Sequence, residues 1–208
     1  WTKLMPVMLE LLDEKHILLQ MDNEEAGAFL ERRNWDGSVR IPQDSDYLMT
    51  VNTNMGYTKS NAVMETSFDY KVDLTTPETP IGFLEIVQTN LSKLNVVCEP
   101  FATFRYLLPP TSPNLIPDPI YSIEECYWGY LRIYTPEGTE LLHSNPQQIP
   151  AEATMLGETI PARTDDLGSE DIPGAQVFGM LVITPTHQST KTVFEYNLPA
   201  NVLTKKNG

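Results

Sequence analysis

A strict alternation of residue types between Met64 and Leu74 constrains the fold of this chain more than any other sequence feature. Even-numbered positions carry mostly apolar or aromatic side chains, and odd-numbered positions carry Glu, Ser, Asp and Lys. Side chains of a β-strand point alternately to opposite faces, so the pattern predicts a strand with one buried and one solvated face. A turn is predicted at 75–80, and Ile81–Thr89 is expected to pair back as the next strand.

Strand patterns continue to the end of the chain. They lie at Tyr47–Asn52, Lys93–Thr103, Cys126–Tyr134, Thr139–Leu142, Val177–Thr184 and Lys191–Leu198. Residues 108–119 hold five prolines and predict a long loop. Proline cannot donate to a sheet ladder, so a chain with 17 prolines favours strands and loops over helices. About eight strands separated by turns predict a mainly β protein, with an antiparallel immunoglobulin-like β-sandwich over residues 46–208.

Residues 1–45 follow a different pattern, which predicts a small α/β segment. Five apolar side chains have the spacing of one helix face: Leu4, Val7, Met8, Leu11 and Leu12. A buried strand at 16–21, a helix after Asn23 and a short strand at 38–41 are expected to follow. Such a segment is too small to bury its own faces. We expect it to dock on the following domain, on an upstream part of a longer protein, or on another copy.

Composition excludes several classes of function. The formal net charge of −14 repels phosphate backbones and anionic lipid, which argues against nucleic-acid and membrane-surface binding. No apolar run is long enough to span a membrane. The acidic residues lack the spacing of a metal-binding loop, and the sequence has neither a phosphate loop nor a dinucleotide fingerprint. We therefore expect no metal and no cofactor.

The chain contains two cysteines, Cys98 and Cys126, which lie on either side of the proline-rich loop. A disulfide between them would stabilise the fold by about 3–4 kcal/mol according to the chain-entropy model. The alternative is a pair of buried free thiols in a reducing compartment. Neither cysteine has a histidine nearby, so the pair does not indicate a zinc site.

Three stretches resemble the bacterial DUF4012 family. Residues 46–64 resemble its D-x-x-x-x-x-x-x-N-x-G-x-x-K-x-N region, and residues 126–141 are similar to its C-Y-W-x-Y-L-R-V-Y-V-P-x-G-S-E-L motif, with Thr135 in place of the family's Val. Residues 193–199 resemble its V-x-F-x-Y-x-L-P strand. The resemblance implies an exported protein with a membrane anchor and an α/β domain upstream of this segment. It implies no established activity.

Catalytic residues are not expected. The histidines His16, His143 and His187 are not spaced with a nucleophile, and no Gly-x-Ser-x-Gly elbow is present. The most suggestive polar group is Asn52, Asn54, Lys59 and Asn61, in a loop between two strands, where binding groups often lie. A structural interpretation competes with this one, because Asn54-Met-Gly56 is typical of a turn whose asparagines cap the backbone.

Aromatic side chains crowd the strand that follows Cys126. Trp128, Tyr130 and Tyr134 are expected on one face, and Tyr127, Leu131 and Ile133 on the other. Arg132 falls in the row of Trp128, so that row is expected to face solvent or a loop, where an exposed aromatic can stack on a sugar ring. The competing interpretation is that both rows serve packing.

We therefore expect a non-enzymatic extracellular or cell-surface module with a structural or interactive role, such as a subunit of a surface assembly or filament. Its partners would be other proteins or further copies of the chain. Two alternatives stay open: an accessory domain of an envelope enzyme that handles glycopolymers, and a carbohydrate-binding module. The residues expected to contact a ligand or partner are Trp128, Arg132, Lys59, Asn54 and Asn61.

Overall fold

The computed structural model describes residues 2–56, 58–95, 98, 123–151, 154 and 156–203. The chain divides into two compact units, Trp1–Arg40 and Ile41–Gly208. The sequence placed this boundary after residue 45. Ile41 packs with the cluster that contains Tyr134 and Val177, so the residues just after Arg40 belong to the second unit.

Helices α1 (Leu4–Asp13) and α2 (Glu24–Arg33) form the first unit. The sequence predicted both. Asn23 caps α2, because its side-chain oxygen accepts a hydrogen bond from the amide of Ala26 at 3.0 Å. The helix ends at Asn34, which has the left-handed conformation common at helix C-termini. Trp35 follows at once and packs with a residue of each helix in a small core.

The strands expected at 16–21 and 38–41 do not form. After α1, the amides of His16 and Ile17 both donate to the carbonyl of Leu11, at 2.9 and 3.2 Å, so the chain closes the helix end instead of extending. One further backbone bond joins Leu19 to Trp35 at 2.9 Å. A short apolar run becomes a strand only beside a partner strand, and residues 2–40 contain no strand.

The apolar face of α1 is mostly exposed. Leu4 and Val7 are 49% and 48% exposed, and only Leu12 of this helix is buried. The expectation that this segment cannot bury its own faces agrees with these exposures. What covers α1 stays a prediction.

The second unit is a β-sandwich of two antiparallel four-stranded sheets, which confirms the mainly β prediction. Its described strands are β1 (Met49–Asn54), β2 (Met64–Asp73), β3 (Ile81–Asn90), β4 (Tyr127–Pro136), β5 (Glu140–Ser144), β6 (Asp165–Asp166), β7 (Ala175–Thr184) and β8 (Ser189–Asn197). The first sheet has the order β1-β4-β7-β6, and the second sheet has the order β2-β3-β8-β5. The immunoglobulin-like subtype stays a prediction.

Alternate residues of the four central strands build the core between the sheets. Its largest members, each less than 3% exposed, are Leu84, Ile86, Leu131, Ile133, Met180, Val182, Phe194 and Tyr196. β3 alternates strictly between buried and half-buried positions, as a strand with one core face must. The prediction that Leu131 and Ile133 face inward is confirmed.

The run from Cys126 to Leu142 crosses from one sheet to the other. β4 belongs to the first sheet and β5 to the second, so the turn at 136–139 links the two layers and does not form a hairpin. Just before β4, Cys126 is bonded to Cys98, and their Cα atoms are 5.4 Å apart. The disulfide prediction is confirmed. Lys93–Asn95 are not in a strand. The remaining residues of the strand expected at 93–103, except Cys98, and the loop at 108–119 lie outside the described residues.

Candidate functional site

The outer face of β4 carries the aromatic row that the sequence pointed to. Trp128, Tyr130 and Arg132 are half-buried there, whereas Tyr134 is only 4% exposed. The row therefore faces away from the core, as predicted from the presence of Arg132. Its exposed part lies at the Trp128 end of the strand.

Arg132 contacts its neighbours on this face through both of its terminal nitrogens, whereas its buried Nε has no hydrogen-bond partner among the described residues. Its guanidinium donates to both carboxylate oxygens of Glu170, at 3.0 and 3.2 Å, and to the hydroxyl of Thr53 at 3.1 Å. Tyr134 donates to the same carboxylate at 2.5 Å. Both hydrogen bonds from Arg132 to Glu170 come from Nη1, and this ion pair offsets the positive charge that a ligand anion would need. Arg132 therefore links β1, β4 and the loop of Glu170.

Tyr130 makes a second link to the acidic loop. Its hydroxyl donates to Asp165 at 2.8 Å, and Arg163 pairs with the same carboxylate at 2.8 Å. Burial, followed by the hydrogen bond to Asp165, raises the pKa of Tyr130 to about 12. The hydroxyl therefore stays protonated at neutral pH and acts as a donor. It is not a general base.

Both aromatic rings at the exposed end lie close to glycines. A Cβ atom on Gly179 would come within 2.7 Å of the Tyr130 hydroxyl and 2.8 Å of its Cε1. A Cβ on Gly56 would lie 3.1 Å from Cδ1 of Trp128, whose carbonyl accepts a hydrogen bond from Met55 at 2.7 Å. Packing against backbone accounts for one side of each ring. The structure gives Trp128 a packing role and leaves its ligand role a prediction.

The asparagine group shapes its own loop. Asn54 accepts from the amide of Gly56 at 2.9 Å and donates to the carbonyl of Thr58 at 2.8 Å and to the side chain of Asn61 at 3.4 Å. These contacts are the turn and cap interactions of the structural interpretation. Lys59 is exposed and has no ion pair within the described ranges. Its role as a ligand contact stays a prediction.

The three histidines lie on separate elements. His16 pairs with Glu14 at 3.3 Å in the first unit, His143 lies on β5, and His187 has a left-handed backbone in the β7–β8 turn. Over the described residues, no three His, Cys, Asp or Glu side chains come together as metal ligands would. No helix in the same ranges is long and apolar enough to cross a membrane.

A surface groove of about 580 Å³ lies between Cys98, residues 145–150 and the start of β8. No feature of the sequence indicated this groove. Its cation, Lys191, is paired with Glu85 at 2.5 Å. Asn145 and Gln147 bond the backbones of neighbouring strands. Asn145, Gln147 and Lys191 in this groove thus make structural contacts.

Residues 145–150, which we name the closing segment, cover one lateral side of the sandwich. Asn145 accepts from the amide of Val193 at 2.6 Å and donates to the carbonyl of Lys191 at 3.0 Å, as a neighbouring strand would. Gln147 accepts from the amide of Ile183 on β7 at 3.0 Å. Unpaired backbone groups beyond the short strands β5 and β6 are therefore satisfied by side chains.

The opposite lateral side ends in β2, which is the open edge of the second sheet. β2 pairs with β3 through ten consecutive residues, from Met64 to Asp73, without a bulge. No described strand pairs with its other side. Phe68 belongs to the inward-facing row, yet it is 55% exposed. Alternation predicted this strand, but the row that it placed on a buried face is half-buried or exposed, because alternation carries no information on whether a strand is central or at an edge.

Searches against protein-family models, curated proteins and solved structures find no match to this chain. The resemblance to the DUF4012 proteins therefore stays a prediction from its three motifs.

Proposed function

We propose that this chain is a non-enzymatic extracellular or cell-surface module that acts by binding other protein chains. The observation that carries the proposal is the open edge. β2 offers a row of backbone donors and acceptors over ten residues, with a large apolar side chain, Phe68, exposed in its middle. Edge strands of this kind are templates for strand addition by a partner.

The disulfide supports the extracellular part of the proposal. Cys98 and Cys126 are joined, and the described residues contain no free cysteine. Stable disulfides belong mainly to oxidising compartments such as the cell exterior. A membrane-impermeant amine reagent applied to whole native cells should label the exposed Lys59. Labelling that occurs only after cell lysis would contradict an extracellular location.

A photo-crosslinking experiment tests the interactive part. Benzoylphenylalanine replaces Phe68 in the full chain produced by its native cell, and the same analogue replaces Phe29 in a control chain. Phe29 is 45% exposed, so both probes reach solvent to a similar degree. We expect position 68 to give discrete protein adducts that position 29 does not. Equal adducts from both positions, or none from either, would overturn the proposal.

Carbohydrate binding is the second candidate, and one observation favours it. Trp128 and Tyr130 present half-buried rings side by side at the end of the β4 face, each supported by a glycine below. Aromatic platforms of this kind stack on sugar rings. A glycan panel probed with the wild type and with Trp128→Ala tests this candidate, which fails unless some signal depends on Trp128. Glycan binding would equally suit an accessory domain of an envelope enzyme.

A further inference from the structure

We infer that the partner at the open edge is a second copy of this chain, joined through an antiparallel β2–β2 pair about a two-fold axis next to Phe68. This inference rests on the proposed function and names its partner. The two second sheets would then form one continuous eight-stranded sheet. Three features of β2 favour this pairing: its length and regularity, the self-complementarity of its sequence, and the like charges that other registers would oppose.

Among the described strands, the other edge strands are short or bulged, whereas β2 is long and regular and carries its charged residues in the outward-facing row. β5 has five residues and a register shift between Leu141 and His143, β6 has two residues, and β1 has six. Short strands and bulges are the devices by which proteins prevent unwanted strand pairing. β2 has ten residues, no proline and no bulge, and no charged residue in its inward-facing row.

The sequence of β2 is complementary to its own reverse. In an antiparallel pair centred on Phe68, each residue of one copy lies opposite a residue of the other copy, and their two residue numbers add up to 136. Glu65 then lies opposite Lys71 twice, once on each side of the axis, and the two Phe68 side chains meet at the centre. Inward positions oppose inward positions: Thr66 meets Tyr70, and Met64 meets Val72. Opposite charges and aromatic pairs directly across a ladder are both stabilising.

Neighbouring registers are worse. A two-fold axis perpendicular to the sheet leaves the inward-facing rows of both copies on the same side. Opposing residues must then both be inward-facing or both outward-facing, so the sum of their residue numbers can change only in steps of two. A sum of 138 places Asp69 opposite itself and Glu65 opposite Asp73, and a sum of 134 places Glu65 opposite Asp69. Like charges directly opposite are destabilising. A sum of 140 pairs Asp69 with Lys71, but it shortens the ladder and removes Phe68 from the axis.

Charge reversal and rescue test the pairing in the full chain. Sedimentation equilibrium gives the dissociation constant across micromolar to millimolar concentrations for the wild type, Lys71→Glu and Glu65→Lys. Each variant converts both attractive pairs into repulsive ones, so we expect the dissociation constant to rise about tenfold or more. An equimolar mixture of the two variants restores both pairs and should dimerise like the wild type.

Matched controls separate pairing from net charge. Lys3→Glu and Glu10→Lys make the same charge changes on the first unit, and they should leave the dissociation constant close to that of the wild type. Like chains with a net charge of −14 repel one another at long range, so measurements use about 0.15 M salt, where the Debye length is about 8 Å. Far-ultraviolet circular dichroism confirms that each variant is folded.

A crosslinking readout does not depend on the variants. Heavy- and light-labelled chains with benzoylphenylalanine in place of Phe68 are mixed and irradiated, and we expect heavy–light adducts within residues 64–72 of both copies. A monomeric wild type at millimolar concentration, failure of the mixture to restore dimers, or adducts elsewhere would overturn the inference. If the purified chain stays monomeric while position 68 still captures other proteins in the native setting, only the identity of the partner fails and the proposed function stands.

Discussion

On one lateral side the sandwich ends in β5 and β6, with five and two residues, whereas on the other side it ends in β1 and β2, with six and ten. The first side is finished by the closing segment, in which Asn145 and Gln147 satisfy backbone groups of β8 and β7. On the second side, β2 has no described partner along its outer edge. In the second sheet, backbone groups at one edge are thus bonded by side chains, whereas those along the outer side of β2 have no described partner.

The difference shows that sealing an edge requires few residues. On the closed side, two polar side chains make hydrogen bonds that a neighbouring strand would otherwise make. Each offers its own donor or acceptor at the position of the missing backbone. On β2, Lys71 pairs with the neighbouring Asp69 at 2.5 Å. No described strand covers the outer edge of β2.

The largest effect should come from removing the disulfide on the closed side, where Cys98 lines the groove beside the closing segment. In the double variant Cys98→Ser, Cys126→Ser, the free energy of unfolding should fall by about 3–4 kcal/mol, because a 28-residue separation no longer restrains the unfolded chain. Urea denaturation measures the loss. Hydrogen exchange should rise around the closing segment and stay unchanged in β2. Equal loosening of β2 would show that the two sides are not independent.

A smaller loss in the free energy of unfolding is expected when the hydrogen bonds of the closing segment are removed. Asn145→Ala removes both hydrogen bonds to the edge of β8 and should lower the free energy of unfolding by about 1–2 kcal/mol. Gln147→Ala removes one bond and serves as the matched comparison, with about half that loss. Exposed β8 backbone should also raise the tendency to self-associate, which light scattering detects. If both variants match the wild type in stability and in mass, the closing segment is not a seal.

The strands were predictable from the sequence because side-chain period decides which face of a strand is buried. The alternation at Met64–Asp73 and the turn predicted after it gave both strands and their pairing. The same reasoning failed at 16–21, where an apolar run has no partner strand and instead follows a helix end. Edge position was not predictable either, since the neighbours of β2 depend on how distant strands assemble.

The candidate site was predictable only in part. The position of Arg132 in the Trp128 row correctly indicated an outward face. Its partner Glu170 was not foreseen, because the acidic stretch at 164–171 has the composition of a solvated loop. Arg132 and Glu170 are 38 residues apart in sequence, and no local spacing rule links residues at that distance.

Within the open edge, Tyr70 should be the residue whose hydroxyl matters for stability. It donates to Asp46 at 2.7 Å, so Tyr70→Phe should lower the free energy of unfolding by about 1 kcal/mol by leaving that carboxylate oxygen without its donor. Burial, followed by the hydroxyl of Tyr196 and the carboxylate of Asp46, raises the pKa of Tyr70 above its ordinary value of 10.0.

That raised pKa has a direct consequence for the pH dependence of stability. The contribution of the neutral hydroxyl is complete below about pH 10 and is lost as pH rises above that value, because only the unfolded tyrosine ionises readily there. Denaturation curves from neutral pH upwards should therefore show a steeper alkaline loss for the wild type than for Tyr70→Phe. Parallel curves would mean that Tyr70 does not titrate differently in the two states.

The smallest change in stability should come from Phe68, although it lies in the same inward row as Tyr70 and directly opposite Ile86 of β3. Phe68 is 55% exposed on an outer strand of its sheet, whereas Ile86 is fully buried on a central strand. Phe68→Thr should change the free energy of unfolding by no more than about 0.5 kcal/mol, whereas Ile86→Ala should cost about 2–5 kcal/mol. Phe68→Thr should nevertheless weaken β2–β2 association, which sedimentation measures on the same samples. A large stability loss at Phe68 would mean that this side chain is part of the core of the monomer and is not available to a partner.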